Sequence, residues 1–227
     1  MAAKSHIDDE DTAVILVGDG PLISKETLKS FMKHHEENQF AASVMTSIFE
    51  NPKGYGRIIR NEDSSVMDIV EEKDASEEQR KIKEINTSIY CFNGKLLKYA
   101  LSKIDTNNSQ GEYYLTDTVK ALNKDNYKVG GWILKDETDI KAVNDRVQLA
   151  EVTKIMQQRI NYKHMLLGVT LIDSENTYIE DSVIIGRDTI IYPNTYLQEG
   201  TVIGSDCTIG PNARIINSTV CNNVCIE

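Results

Sequence analysis

The fold is decided by residues 177–215, which read TYIEDSVIIGRDTIIYPNTYLQEGTVIGSDCTIGPNARI. An aliphatic side chain returns at every sixth position, and neither a helix nor a hairpin has that period. A strand rises about 3.3 Å per residue, so six residues form a flat side of about 20 Å. Three such sides close a triangular coil of roughly 18 residues. The inward-pointing aliphatic residues are Ile179, Ile185, Ile191, Leu197, Ile203, Ile209 and Ile215.

Small or β-branched residues stand two positions before these aliphatic side chains, where a tight corner needs them, and glycines 186, 204 and 210 lie beside the corners. The pattern predicts a parallel β-helix built from hexapeptides. The alternative, a sandwich of short strands, would need alternating patterning with turns every 8 to 12 residues or so. Residues 177–227 make slightly fewer than about three coils, so we expect the last coil to be frayed or covered. The corner residues are Thr177, Val183, Thr189, Thr195, Thr201, Cys207, Ala213 and Thr219.

Composition and charge narrow the class of protein. The hydrophobic content of 40% and the charged content of 26% are ordinary for a globular chain with two domains. No apolar run approaches the length of about 20 residues that spans a bilayer, and no secretory signal begins the chain, so we expect a cytoplasmic protein without membrane contact. The net charge of −10 argues against nucleic acid as a partner.

The four cysteines indicate a reduced compartment. They lack CxxC pairing and a nearby histidine at zinc-ligand spacing, so we interpret them as small core residues rather than as metal ligands. Cys207 and Cys225 are one coil apart in the expected period, which predicts that they lie one above the other as free thiols.

The first part of the chain has the pattern of an α/β domain. Residues 13–18 form an apolar run typical of a strand buried on both faces, and Ser24 is the expected N-cap of the following helix. Residues 40–48 predict the next strand, so this strand-helix-strand order predicts a parallel pair joined by a crossover. Further elements complete a mixed sheet: strands at 57–60, 66–71, 85–92 and 127–134, and helices after Gly94 and near 115–122.

A long helix is predicted to join the two domains. Apolar residues recur at helical spacing from Asp139 to Leu167, and Gly168 supplies a stop. We therefore expect an α/β domain over residues 1–138, a linker helix over 139–168 and a β-helix domain over 169–227.

Several polar residues stand where ligands bind in such sheets, and each also has a plainer explanation. Asp19 follows a buried strand, where its carboxylate would hold a metal ion or cap its own Gly-Pro turn. The amide oxygen of Asn144 suits Mg²⁺, although alone it is more typical of a surface residue. The Gly54–Arg57 segment allows close approach of a ligand to the backbone, but alone it is more typical of a strand-entry turn. Glu71 and Asn86 flank apolar segments and have the polarity needed to bind sugar hydroxyl and amide groups.

Taken together, these segments occur in a fixed order, and each has a distinctive amino-acid sequence. They read GDGPLI, NPKGYGRIIR, DIVEEKDASEEQRKIKEINTSIY, NNSQGEYYLTD and AVNDRVQLAEV, and hexapeptides follow. This pattern closely resembles the bacterial bifunctional N-acetylglucosamine-1-phosphate uridyltransferase and glucosamine-1-phosphate N-acetyltransferase family. The resemblance implies a partial Rossmann-like uridyltransferase domain, a long linker helix and a left-handed parallel β-helix.

The resemblance also implies roles for individual residues. Asp19 and Asn144 match the two Mg²⁺ ligands, and Val17 and Gly18 match substrate contacts, although valine departs from the residues usual at that position. Gly56, Glu71 and Asn86 match positions that hold the N-acetylglucosamine group, with Asn86 as the partner of its acetamido group. The pocket is also expected to include Tyr114 and Thr116.

The implied reaction transfers UMP from UTP to N-acetylglucosamine 1-phosphate and releases UDP-N-acetylglucosamine and pyrophosphate. The family's glycine-rich phosphate loop has no counterpart in residues 1–16, and its acetyltransferase residues match nothing before Glu227. We therefore expect the chain to be incomplete for both activities, acetyl-CoA to be a partner only of the complete family protein, and a homotrimer to form through the β-helix. Two alternatives stay open: another hexose-1-phosphate nucleotidyltransferase, and a non-catalytic fragment or oligomerisation scaffold.

Overall fold

The computed structural model describes residues 5–227, and the chain divides into two compact units. The first unit is Met1–Ala142 and the second is Val143–Glu227. Residues 1–4 of the predicted first domain lie outside the described residues. Within residues 5–227, no helix combines the length and the apolar character needed to cross a membrane.

A mixed six-stranded sheet forms the centre of the first unit. Its strands run in the order β4-β3-β5-β2-β6, and β1 pairs with β5. Strands β2 and β6 are parallel, whereas the other pairs are antiparallel. The predicted mixed α/β sheet is therefore confirmed. The strands are β1 Thr12–Ile15, β2 Ala42–Ile48, β3 Arg57–Arg60, β4 Val66–Val70, β5 Glu84–Asn93 and β6 Val129–Ile133.

The predicted pairing of the first two strands is wrong. Strands β1 and β2 run in the same direction, but β5 lies between them and is antiparallel to both. Strand β1 has β5 as its strand partner on one edge, and none of the described strands covers the other edge. Leu16, which follows β1, is accordingly 46% exposed, so the predicted burial of residues 13–18 on both faces is also wrong.

Helices cover the sheet and close its core. The Thr27 backbone N–H donates to the Ser24 hydroxyl over 3.0 Å, which confirms Ser24 as the N-cap of the first helix. One cluster of fully buried side chains joins β5 to the helices that follow it, through Phe92, Leu97 and Leu122. The helices are α1 Lys25–Glu37, α2 Glu77–Arg80, α3 Gly94–Leu101 and α4 Asp117–Lys124.

The second unit begins with a long helix, α5, which spans Arg146–Leu166. It starts later than predicted because Asp145 caps it: the Gln148 backbone N–H donates to the Asp145 carboxylate over 2.8 Å. Asn144 therefore precedes the helix, and its predicted place early in the helix is wrong. Gly168 has a φ of 95° and follows the helix end, which confirms it as the stop.

The rest of the second unit is a parallel β-helix, as predicted. Its short strands stack into three parallel sheets, in the orders β16-β13-β10-β7, β14-β11-β8 and β15-β12-β9. The left-handed sense stays a prediction from the resemblance. The strands are β7 Thr170–Leu171, β8 Tyr178–Ile179, β9 Ile184–Ile185, β10 Ile190–Ile191, β11 Tyr196–Gln198, β12 Val202–Ile203, β13 Thr208–Ile209, β14 Arg214–Ile216, β15 Thr219–Val220 and β16 Cys225–Ile226.

The corners and the interior of the coil explain the hexapeptide pattern. The predicted aliphatic residues are buried from Ile179 to Ile209, whereas Ile215 is half-buried. At the corners, the buried Thr189 hydroxyl donates to the Gly204 carbonyl over 2.8 Å. A methyl group on Gly186 would lie 2.5 Å from the Ser205 backbone nitrogen, so the next coil leaves no room for a side chain there.

The last coil is one residue shorter than the period predicts. Leu197 lies opposite Ile215, eighteen positions on, but Ile203 lies opposite Val220, seventeen positions on. The predicted corner at Thr219 is therefore wrong, because Thr219 belongs to β15 and lies opposite Val202.

The shorter coil also changes the cysteine arrangement. Cys225 lies opposite Thr208 rather than above Cys207, so the predicted stacking of these two residues is wrong. The thiols are free, as predicted. Cys91 and Cys207 are buried, but Cys221 and Cys225 are exposed, and the core role predicted for these last two is wrong.

Candidate functional site

Gly56, Glu71 and Asn86 lie together in the first unit: Gly56 directly precedes β3, Glu71 directly follows β4, and Asn86 belongs to β5. Arg57, the first residue of β3, lies opposite Val70 on β4 and opposite Ile85 on β5. Because both pairings are antiparallel, the preceding residue, Gly56, falls between Glu71 and Asn86. The Asn86 backbone N–H donates to the Gly56 carbonyl over 2.9 Å. A methyl group on Gly56 would lie 3.3 Å from Glu71 Oε2. Gly56 is buried, and its missing side chain lets the backbone lie close to the Glu71 carboxylate and the Ile69 side chain.

An irregularity in β5 sets the direction of the Asn86 side chain. Val44 lies opposite Tyr90 and Thr46 opposite Asn86, so residues 87–89 face only Met45. Residues four apart in a regular strand are separated by about 13 Å. Here the extra residues form a bulge, with Ser88 at a φ of 61°, and Asn86 Nδ2 donates to the Tyr90 hydroxyl over 2.8 Å.

Hydrogen bonds hold the Asn86 side-chain amide, but they do not use all of its donors. Its Oδ1 accepts from the Ser88 backbone N–H over 3.0 Å, while Nδ2 donates to Tyr90. An asparagine amide has two N–H donors, so one remains for a ligand. Sequence reasoning missed Tyr90, which is 1% exposed and resembles an ordinary apolar strand residue; only the bulge reveals its contact with Asn86.

Glu71 lies in an environment that disfavours its charge. Burial raises the pKa of the Glu71 carboxyl; a hydrogen bond from the Thr116 hydroxyl opposes that rise, and Asp74 and Asp117 add to it. Thr116 is 5% exposed and joins this cluster, as expected. Tyr114 is half-buried, and its hydroxyl accepts from Gln110 Nε2 over 2.6 Å.

The raised pKa of Glu71 predicts a pH-dependent effect on stability. Its stabilising contribution is fully present below the ordinary pKa of 4.5 and is lost as pH rises through the folded-state pKa. We therefore expect Glu71→Gln to be more stable than the unmodified chain at pH 7, with the two converging below pH 4.5. Urea unfolding across this pH range measures the difference, with Glu37→Gln on the exposed side of α1 as the control. A variant less stable than the unmodified chain at pH 7 would contradict the prediction.

The other predicted site residues lie in two places. Val17, Gly18 and Asp19 follow β1, where Ile15 is opposite Tyr90 of the antiparallel β5. The register thus directs the chain beyond Ile15 toward the Asn86 end of β5. Gly18 and Asp19 are exposed, and Val17 is half-buried. Asn144 is exposed and belongs to the second unit.

Asp19 and Asn144 have the right chemistry for a hard cation. Carboxylate and amide oxygens are the ligand types that Mg²⁺ takes from proteins. Within residues 5–227, neither side chain makes a hydrogen bond or an ion pair, so both oxygens are available. The same range contains no group of three or more His, Cys, Asp or Glu residues arranged to hold a metal.

Comparison with known proteins agrees with this architecture. Residues 1–155 match the nucleotidyl transferase family, and residues 182–217 match the bacterial transferase hexapeptide with six repeats. The bifunctional protein GlmU of Clostridioides difficile (strain 630) is 52% identical over 190 residues, covering 84% of this chain and 41% of that protein. The GlmU of Alkaliphilus metalliredigens (strain QYMF) is 50% identical over 192 residues, covering 85% and 42%.

These relatives confirm the resemblance to the bifunctional family that the motifs indicated. The chain spans about two fifths of the length of the curated relatives it matches, at 41% and 42%. The first match covers residues 1–155, more than half of the 227 residues. The protein is therefore a member of the nucleotidyl transferase family.

Proposed function

We propose that this chain forms part of an enzyme that transfers UMP from UTP to N-acetylglucosamine 1-phosphate, giving UDP-N-acetylglucosamine and pyrophosphate. The proposal is carried by one observation: Gly56 at the start of β3, Glu71 at the end of β4 and Asn86 in β5 are neighbours. The relatives named bifunctional protein GlmU support the choice of this reaction over others of the family.

The polar groups around Gly56 suit an amino sugar that carries an acetyl group. The remaining Asn86 N–H would donate to the acetamido carbonyl, and the Glu71 carboxylate would accept from a sugar hydroxyl. Hydrogen bonds to a charged acceptor contribute about 1.5–3 kcal/mol, so Glu71 would select for hydroxyl donors. A side chain at Gly56 would crowd the Glu71 carboxylate, so glycine at this position would keep that carboxylate free for the sugar.

The sugar phosphate must be aligned with the nucleotide for the reaction to proceed. An oxygen of the sugar phosphate attacks the α-phosphorus of UTP, and pyrophosphate leaves on the opposite side. Holding both reactants in this geometry supplies much of the rate, since the protein needs no covalent intermediate. Glu71, Asn86 and Gly56 would orient the acceptor, and the backbone of Val17 and Gly18 would contact the substrate.

We propose Asp19 as a carboxylate ligand and Asn144 as an amide ligand of Mg²⁺, because each has an oxygen of the type that this ion takes from proteins. A bound Mg²⁺ neutralises charge on the phosphate oxygens and on the leaving pyrophosphate. Proteins commonly bind Mg²⁺ through one or two carboxylates, so a small donor set would fit this ion.

The assembly and compartment of this function are also proposals. We propose a homotrimer through the β-helix, in the cytoplasm, with acetyl-CoA as a partner only in a complete bifunctional protein. Exposed aromatic side chains on the coil support an interface: Tyr178 and Tyr196 are 38% and 41% exposed and stack at 4.6 Å. Sedimentation would measure the oligomeric state.

Calorimetric titration of the chain with UDP-N-acetylglucosamine in the presence of Mg²⁺ tests the proposal. Binding that exceeds the binding of UDP-glucose is the expected result, since only the first sugar has the acetamido group. Equal or tighter binding of UDP-glucose would favour another hexose-1-phosphate nucleotidyltransferase. No heat with any sugar nucleotide at millimolar concentration would favour the non-catalytic scaffold.

A further inference from the structure

An ion pair between a buried arginine and a partly exposed glutamate lies next to Gly56 and Glu71 in the chain. The Arg57 side chain is 2% exposed, and its guanidinium donates to Glu72 over 2.7 Å. Arginine is almost never fully buried unless it is paired, and Glu72 supplies the pair. The two residues are chain neighbours of Gly56 and Glu71, and neither belongs to the cluster proposed to bind the sugar.

Glu71 and Glu72 point to different groups. The Asp74 backbone N–H donates to the Glu71 carbonyl over 3.0 Å, so Glu72 lies in a turn, and the two adjacent carboxylates reach different neighbours. Glu71 lies against Gly56 and Thr116, whereas Glu72 contacts Arg57 and lies 3.8 Å from Arg80 of α2. Burial alone would raise the pKa of Glu72, but hydrogen bonds from the Arg57 guanidinium and the Gly54 N–H outweigh it and lower the pKa.

The same ion pair, which we call the clamp, holds the segment before β3, residues 51–56, through hydrogen bonds. Glu72 Oε2 accepts from the Gly54 backbone N–H over 3.3 Å, and the Arg57 guanidinium also donates to the Tyr55 carbonyl. Gly54 has a φ of 91°, a conformation that a side chain would disfavour. Both halves of the pair therefore hold the backbone that leads into Gly56.

We propose that Arg57 and Glu72 are positioning residues, which fix residues 54–56 so that Gly56 keeps its backbone contact with Asn86 beside the Glu71 carboxylate. This inference rests on the proposed function, because it assigns the clamp to the same sugar site. The pair does not touch the ligand. It acts by keeping the segment in the arrangement in which the Gly56 carbonyl accepts from the Asn86 backbone N–H.

Trypsin cleavage after the exposed Lys53 measures the clamp without any ligand. We expect Glu72→Gln to increase the rate of cleavage at Lys53 and to weaken binding of UDP-N-acetylglucosamine, each by about tenfold. Arg57→Lys keeps the positive charge but cannot reach Tyr55 and Glu72 together, so a smaller change in the same direction is expected. The matched control is Glu37→Gln on α1, where Glu37 forms an exposed ion pair with Lys33.

The outcomes separate the clamp from the proposed function. Unchanged cleavage at Lys53 in both variants would overturn the clamp. Faster cleavage with unchanged sugar-nucleotide binding would overturn its role at the site. If the unmodified chain binds no UDP-N-acetylglucosamine, the proposed function fails and the sugar role fails with it, while the cleavage rates still decide whether the clamp holds residues 54–56. Faster cleavage at many sites would reveal general unfolding and would also count against positioning.

Discussion

Asn86→Ala is expected to weaken binding of UDP-N-acetylglucosamine by about 5- to 150-fold, the range that corresponds to losing about 1–3 kcal/mol for a buried polar contact. The side chain is 4% exposed, and its remaining N–H is the donor assigned to the acetamido group. Calorimetric titration in Mg²⁺ gives the dissociation constant. UDP-glucose has no acetamido group, so its binding should change far less.

Tyr90→Phe is the matched control for this variant. It removes the same internal hydrogen bond, that between Asn86 Nδ2 and the Tyr90 hydroxyl, but leaves the Asn86 amide held by the Ser88 N–H. We expect Tyr90→Phe to weaken binding less than Asn86→Ala does. Equal losses in the two variants would show that the effect comes from the disturbed bulge, and the contact between Asn86 and the sugar would be wrong.

Leu197→Ala is expected to destabilise the β-helix by about 2–5 kcal/mol. Leu197 is 0% exposed and lies inside the coil, between Ile179 below and Ile215 above. Removing its side chain takes apolar contacts away and leaves a cavity, and the backbone ladders on both sides prevent the coil from collapsing into it. Urea unfolding followed by circular dichroism measures the loss.

Val202→Ala removes a side chain from the outer face of the same coil. Val202 is 36% exposed, so the expected loss is below about 1 kcal/mol. Similar losses for the two variants would contradict the assignment of every sixth residue to the interior. Hydrogen exchange at the amides of β11 and β14 would show whether the Leu197 effect is local.

The strands and the coil were predictable because their signals are local. A short apolar run bounded by glycine or charged residues marks a strand, which is why β3 appears at the expected residues, 57–60. The recurrence of aliphatic residues at every sixth position likewise indicates which side chains lie inside the coil. In both cases, neighbours in sequence carry the information.

The errors concern contacts between distant segments. Residues 13–18 have the composition of a central strand, but burial depends on which strands flank it, and β1 pairs only with β5 among the described strands. The bulge that joins Asn86 to Tyr90 depends on how β5 pairs with β2, which the segment EINTSIY does not reveal. The site could be found from its motifs, but the orientation of its amide could not.

The shortened last coil has a practical consequence for protein engineering. The strands on either side of residues 217 and 218 keep their parallel partners although one position is missing, so that corner absorbs a change in length. Asn217 and Ser218 are both exposed. A foreign peptide inserted at this corner would be exposed to solvent. The same peptide inserted beside Gly186 would clash with the adjacent coil.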